Sequence, residues 1–333
     1  MKVAIIGSGL QASRRGQVIH DSEVDVLVGI YSDNQVTSGA LARRFNCLVF
    51  SSVDELFSRE DIDVVLVCTP PDSHFKYSRI ALESGKHVLV EKPFTQSIQQ
   101  SRELLEIAKI SKNILRCGFN HRFHPAIQEL KHLILNDELG PIKFSRSLYG
   151  IGLRDDFQTE WRANQLIAAG GQFMEQGSHL VDLTQFLIGD VKSVFMKPMN
   201  FVIPKNNGED SGFAIMTHEN GAISSVTSTL LQWHNRFSIE IFGEFGFGII
   251  EGLGGSYGVE TLKIGKNIPG KPFTSTILEF RGGDKSWTKE WEAFKLSCEG
   301  NSTDCSTAYE AHKIMNIITL GYESDLKKIE MHI

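Results

Sequence analysis

At 333 residues the chain is too long for one ordinary hydrophobic core and predicts two domains. With 41% hydrophobic and 22% charged residues it has the composition of a soluble globular protein, and a formal net charge of −6 excludes a general attraction to nucleic acid or anionic membrane. The opening stretch, MKVAIIGSG, is too short in apolar residues for a secretory leader. No apolar run approaches the roughly 18 residues of a membrane helix, so a cytoplasmic protein is expected. The cysteines, five in all, are odd in number and lack C-x-x-C spacing, and the histidines lack paired ligand spacing. Neither a disulfide framework nor a metal site is expected.

In chain order, the first third alternates strand and helix. KVAII (2–6), VDVLVGI (24–30), IDVVLVC (62–68), HVLV (87–90) and ILRCGF (114–119) are β-branched and apolar on both faces, as central parallel strands are. Helical spacing fills 38–45, 73–85 and 96–112 between them, which predicts a parallel α/β sheet. The first turn, GSGLQA, reads G-x-G-x-x-A: Gly7 permits the tight turn, Gly9 lets backbone approach a pyrophosphate, and Ala12 allows close helix–sheet packing. Leu10 and Gln11, at the helix start, join the candidate cofactor residues. The helix N-terminus offers its free N–H groups to the phosphates. The second strand ends at Ser32 and Asp33. An acid there suits ribose hydroxyls and repels a 2′-phosphate, which favours NAD and leaves NADP open. Arg43 and Arg44 read as a solvated helix face. CTPPDSH (68–74) and VEKPF (90–94) follow the next two strands, and ligands of open α/β sheets bind at those carboxyl ends.

From about Pro141 the texture changes. IKFSRSLY (142–149), residues 191–203, GFAIMTH (212–218), AISSVTSTLL (222–231) and RFSIEIFG (236–243) read as strands, with Asn-Gly in HENGAI marking a hairpin. This predicts an antiparallel sheet whose inner face covers a helix carrying Glu175 and His179 and whose outer face is broadly apolar. PKNNGED (204–210) and LGGSYGVE (253–260) read as turns. Arg154, Asp155 and Asp156 either line a substrate pocket or form an exposed charged loop. The expected division is 1–120 and 121–333. MEQGSHLVDL (174–183) places Glu175 and His179 four apart, on one face if helical. By itself that pattern suits a solvated pair as well as an acid–base site.

The two strand-end motifs, GFNHRFHP, the stretch EWRANQLIAAGGQFMEQGSHLVDL and WEAFKLSCEG, in this order, resemble the Gfo/Idh/MocA family of oxidoreductases. The resemblance covers nearly the whole chain. It implies an N-terminal Rossmann domain (α/β) and a C-terminal α+β domain built on a large, mostly antiparallel open sheet. It implies hydride transfer between nicotinamide and a secondary alcohol or ketone of a sugar, cyclic polyol or nucleotide sugar. Lys92 matches the family's catalytic lysine and His179 its proton-transfer histidine. Thr69, Pro70, Pro71, His74, Glu91 and Asn120, together with Lys92, match cofactor-contacting positions, and Trp161 and Arg162 match a W-R pair near cofactor or substrate. Glu175 stands where the family pattern has Asp, which keeps the charge and adds a methylene. Asp182 matches the last acid of the pattern, in a structural or a catalytic role. Lys92, Arg122, Arg154, Glu175 and His179 are the candidate substrate contacts. Family resemblance also implies a homodimer or homotetramer formed through the C-terminal sheet. A retained-NAD redox cycle that cleaves glycosides, and a dinucleotide-bound sugar sensor without turnover, are the competing readings.

Overall fold

A computed structural model describes residues 1–204, 208–268, 270–271 and 274–333. Contacts divide the chain into two compact units. The first is Met1–Phe119 with Leu166–Ala169 and Trp287–Met315; the second is Asn120–Gln165, Gly170–Ser286 and Asn316–Ile333.

The first unit follows the predicted alternation: β1 (Lys2–Ile6), α1 (Leu10–His20), β2 (Val26–Tyr31), α2 (Gln35–Phe45), β3 (Leu48–Val49), α3 (Val53–Ser58), β4 (Val64–Val67), α4 (His74–Glu83), β5 (His87–Glu91), α5 (Ile98–Ile110) and β6 (Leu115–Gly118). These six strands pair in parallel in the order β6-β5-β4-β1-β2-β3. The sheet has the Rossmann-type arrangement, with its order reversing between β4 and β1, so a crevice opens at the carboxyl ends of those two strands. The continuous apolar runs are explained by burial: β1 from Val3, all of β4, and Val88–Val90 of β5 are inaccessible on both faces. The sequence did not announce β3 and α3, because both are short and β3 is exposed.

The second unit begins with α6 (Pro125–Leu135) and β7 (Ile142–Gly152). A π-helical turn, Phe173–Gly177, leads into α7 (Ser178–Ile188). There follow β8 (Val191–Met199), β9 (Ser211–His218), β10 (Ile223–Thr229), β11 (Leu231–Gly243), β12 (Gly246–Glu251), β13 (Glu260–Lys266) and β14 (Thr274–Phe280). They form one sheet in the order β14-β13-β12-β11-β7-β10-β9-β8, antiparallel except where β7 meets β10. The Asn220-Gly221 hairpin forms as predicted, with Gly221 at φ +84° and Asn220 Oδ1 accepting from Ala222 N. Of the turn expected over 204–210, residues 205–207 lie outside the described residues.

Helix α6 packs on β12, β13 and β14, and α7 on β7 and β10. Strands β12 and β13 escaped the sequence reading because glycine interrupts their apolar alternation, and β14 because most of its residues are exposed. A Cβ at Gly248 would stand 2.4 Å from Leu130 Cδ1, so glycine is what lets α6 approach β12. On β7, β8, β9 and β10 the residues between the buried positions leave exposed apolar side chains: Phe144, Phe195, Phe213, Ile215 and Ile223.

The last stretch supplies α8 (Ser286–Cys298), β15 (Ser306–Thr307), α9 (Ala308–Lys327) and β16 (Met331–His332). Strand β15 adds antiparallel to β6 and β16 antiparallel to β8. Here the structure departs from the expected division at residue 120, because Trp287–Met315 returns to the first unit. Trp291 and Phe294 of α8 are buried there, and Trp291 Nε1 donates to Asp25 Oδ2 at 2.8 Å. An amphipathic pattern states that a helix buries one face; it does not state which core receives it. Among the described residues no helix is long and apolar enough to cross a membrane.

Candidate functional site

In the first unit the dinucleotide turn sits at the reversal point of the sheet. Gly7 adopts φ +113°, and a Cβ there would lie 2.4 Å from the carbonyl oxygen of Cys68 at the end of β4. Glycine is therefore required for both conformation and space. A Cβ at Gly9 would meet nothing among the described residues within 4 Å. Gly9 is the N-cap of α1 and supplies no side-chain cap, so the first-turn N–H groups face outward for an external acceptor. Ala12 is fully buried against the sheet, Leu10 is 65% exposed, and Gln11 is half-buried. At the end of β2, Ser8 Oγ donates to Ser32 Oγ at 2.9 Å and lies 2.6 Å from Thr37 Oγ1. Asp33 Oδ1 accepts from Tyr31 Oη at 2.8 Å, and that bond pushes the Tyr31 phenol up to about 12. Glycine-lined room, an uncapped helix and a carboxylate at the end of β2 together fit a dinucleotide.

The loops after β4 and β5 are tied to each other. The buried His74 ring lies 2.8 Å from Thr69 O through Nε2 and 2.8 Å from Pro93 O through Nδ1. Burial pushes this imidazole below its usual range, against the pull of the two carbonyls. Thr69 Oγ1 accepts from Ser73 Oγ at 2.8 Å, while Pro70 and Pro71 turn the chain into α4. Glu91 is buried and accepts from Arg15 Nε at 2.6 Å; Arg15 Nη1 donates to Glu290 Oε2 at 2.9 Å. His74 and Glu91 were expected to touch a cofactor. In the structure the His74 ring meets a carbonyl of each loop, the Glu91 carboxylate bonds Arg15 of α1, and Lys92, between Glu91 and Pro93, is only 9% exposed.

In the second unit the buried turn Asn120–Phe123 faces α7. Asn120 Nδ2 donates to Ser286 Oγ at 2.8 Å. Arg122 was a candidate substrate contact; its guanidinium binds Asp182, with Nε 2.9 Å from Oδ2 and Nη2 2.6 Å from Oδ1. The side chains are 3% and 0% exposed, so the pair is internal. His179, at the first turn of α7, is buried, and its ring stacks on that of His121. Glu175 lies on the π-helical turn just before, a winding that recurs at functional sites. Its Oε1 accepts from Arg162 Nε at 3.3 Å, and Arg162 lies over the Trp161 ring at 4.4 Å. Arg154, largely exposed, pairs with Glu160, which also accepts from Arg162 Nη1 at 3.1 Å.

Two buried groups here were missed from sequence. His121 lies in GFNHRFHP, whose residues entered the sequence reading only through the family resemblance; the signal was a second histidine, His124, three residues on. Glu209 lay in an expected turn and had no local signal. Its Oε1 accepts from Phe173 N at 2.9 Å and its Oε2 from Gly171 N at 3.1 Å, so it holds the entry to the π-helical turn.

Comparison with known proteins agrees with this architecture. A family model described as "Oxidoreductase family, NAD-binding Rossmann fold" matches residues 1–119, and one for the GFO/IDH/MocA C-terminal domain matches residues 127–247. The chain is 30% identical to D-glucoside 3-dehydrogenase of Escherichia coli (strain K12) over 58% of its length and 56% of that protein's. It is 28% identical to scyllo-inositol 2-dehydrogenase (NADP(+)) of Bacillus subtilis (strain 168), over 68% of its length and 62% of that protein's. The match therefore spans less than two thirds of either relative. The fold is shared with a solved structure of levoglucosan dehydrogenase in complex with NADH, at a TM-score of 0.91 and 20% identity, covering 100% of this chain and 99% of that one.

Proposed function

Because the chain belongs to the Gfo/Idh/MocA family of oxidoreductases, with an NAD-binding Rossmann fold at its N-terminus, we propose that it moves a hydride to or from a ring carbon bearing a secondary hydroxyl. The substrate class is a sugar, cyclic polyol or nucleotide sugar. One observation carries this reading: a buried imidazole, His179, is fixed at the start of α7 in a chain that also carries the uncapped dinucleotide turn.

A bound nicotinamide supplies the hydride acceptor or donor at its C4. The chain's own residues manage the proton and the charge. His179 takes the hydroxyl proton as the C–H bond breaks and returns it in the reverse direction; an imidazole suits this near neutral pH. The Lys92 ammonium stabilises the developing alkoxide through a charge-assisted hydrogen bond. Glu175, held by Arg162, adds negative charge one turn before His179 and favours the imidazolium that forms. Asp33 favours NAD over NADP by repelling a 2′-phosphate. The exposed row of Phe144, Phe195, Phe213, Ile215 and Ile223 supports pairing with a second copy of the chain through the sheet.

The test is a screen of sugars, cyclic polyols and nucleotide sugars with NAD and NADP, followed by the absorbance of reduced nicotinamide. Net reduction of NAD by at least one of them is expected. Glycoside cleavage without net reduction replaces this reading with a retained-cofactor cycle, and sugar binding without turnover replaces it with a sensor.

A further inference from the structure

We propose that His121 is a positioning residue for proton transfer: its imidazole, stacked face to face on that of His179, sets the plane of the His179 ring and so the direction of its nitrogen lone pair. The proposal rests on the reading of His179 as the proton-transfer group.

The two ring centroids are 3.7 Å apart and the planes differ by 16°. His121 is itself enclosed. Tyr149 lies 5.5 Å away at 42°, His124 5.6 Å away at 73°, and Phe237 5.9 Å away at 87°. His121 and His179 are 7% and 4% exposed, so neither ring has room to swing. The backbone beneath His121 is pinned on both sides. Asn120 bonds Ser286, Arg122 bonds Asp182, and His124 Nδ1 lies 2.9 Å from Glu260 Oε2, while Gln128 Nε2 donates to Arg122 O at 2.7 Å. Asp182 stands on the same helix as His179, one turn further along. The Arg122–Asp182 pair therefore brings the two imidazoles into register.

The physical need is clear. The χ2 torsion of histidine is a broad, two-fold rotor, so a helix position alone leaves the ring plane soft. Proton transfer requires a lone pair aimed to within about 10–20°. A face-on ring at 3.7 Å restricts that rotor without using either nitrogen of His179.

The experiment uses the full chain with NAD and a sugar it oxidises, and compares His121→Ala, His121→Phe, His179→Ala and the double alanine variant. His121→Ala should lower kcat at least tenfold while KM for the sugar and Kd for NAD stay within about threefold. His121→Phe keeps a flat ring without titratable nitrogens and should recover most of kcat. In the His179→Ala background, His121→Ala should cost nothing further, because it acts through the ring already removed. A Phe variant as slow as the Ala variant, or an additive loss in the double variant, overturns the proposal. If His179→Ala itself turns over normally, the proton-transfer reading fails, and this single variant identifies that cause.

A measurement without turnover uses imidazole-labelled protein, with the His179 Hε1 resonance assigned by its loss in His179→Ala. Ring-current displacement should persist in His121→Phe and vanish in His121→Leu, which fills the space without a π face. Equal shifts in the two overturn the stack.

Discussion

Arg122 holds Asp182 with two nitrogens, at 2.9 and 2.6 Å, and both side chains are buried. A pair this deep contributes little over apolar residues of the same shape, but breaking it strands a charge. Asp182→Asn is expected to destabilise the chain by about 3–5 kcal/mol, read as a lower urea midpoint at unchanged slope. A loss below about 1 kcal/mol would mean that the guanidinium finds water or another acceptor.

Glu209 gives a pH dependence of stability. Burial pushes its carboxyl above the usual carboxylate range, against the pull of the hydrogen bond from Tyr322 Oη at 2.8 Å. A raised folded value means that the native state keeps a proton the unfolded chain has lost. Stability from this group is therefore full below the unfolded value and declines as pH rises through the folded one. Glu209→Gln should flatten that decline in urea melts collected from pH 4 upward. Tyr322→Phe should steepen it and cost about 1–3 kcal/mol, because a buried acceptor loses a donor.

His179→Ala and Lys92→Ala are each expected to lower kcat by about a hundred- to ten-thousand-fold while leaving NAD affinity within a few-fold. Fluorescence titration with reduced nicotinamide separates the two effects. Loss of binding in step with loss of turnover would contradict roles in proton transfer and charge stabilisation.

Asp33→Ser should erode the preference for NAD at least tenfold, measured as the ratio of kcat/KM with the two cofactors. The carboxylate stands at the end of β2 with Tyr31 Oη as its donor, and its removal takes away the negative charge that repels a 2′-phosphate. An unchanged ratio would move discrimination to the Ser8–Ser32–Thr37 hydroxyls.

Short windows of residues were sufficient for the repeating strands β1, β2, β4, β5 and β6, the turn at Gly7–Ala12, the Asn220-Gly221 hairpin and the helix bearing His179. Each depends on backbone conformation and side-chain period, which are encoded within a dozen residues. Gly7 illustrates this: a strand ending in G-x-G already implies a conformation that excludes a side chain, and the chain adopts φ +113° there. The partners of the buried charges required the folded chain. Arg15 meets Glu290 from 275 positions away, and Arg122 meets Asp182 from 60. No local pattern specifies such pairs, because the cost of burying a charge depends on what the rest of the chain brings to it. For the same reason the buried partners of Glu91 and His74 were not legible in the sequence, α8 joined the first unit, and His121 emerged as the neighbour of His179.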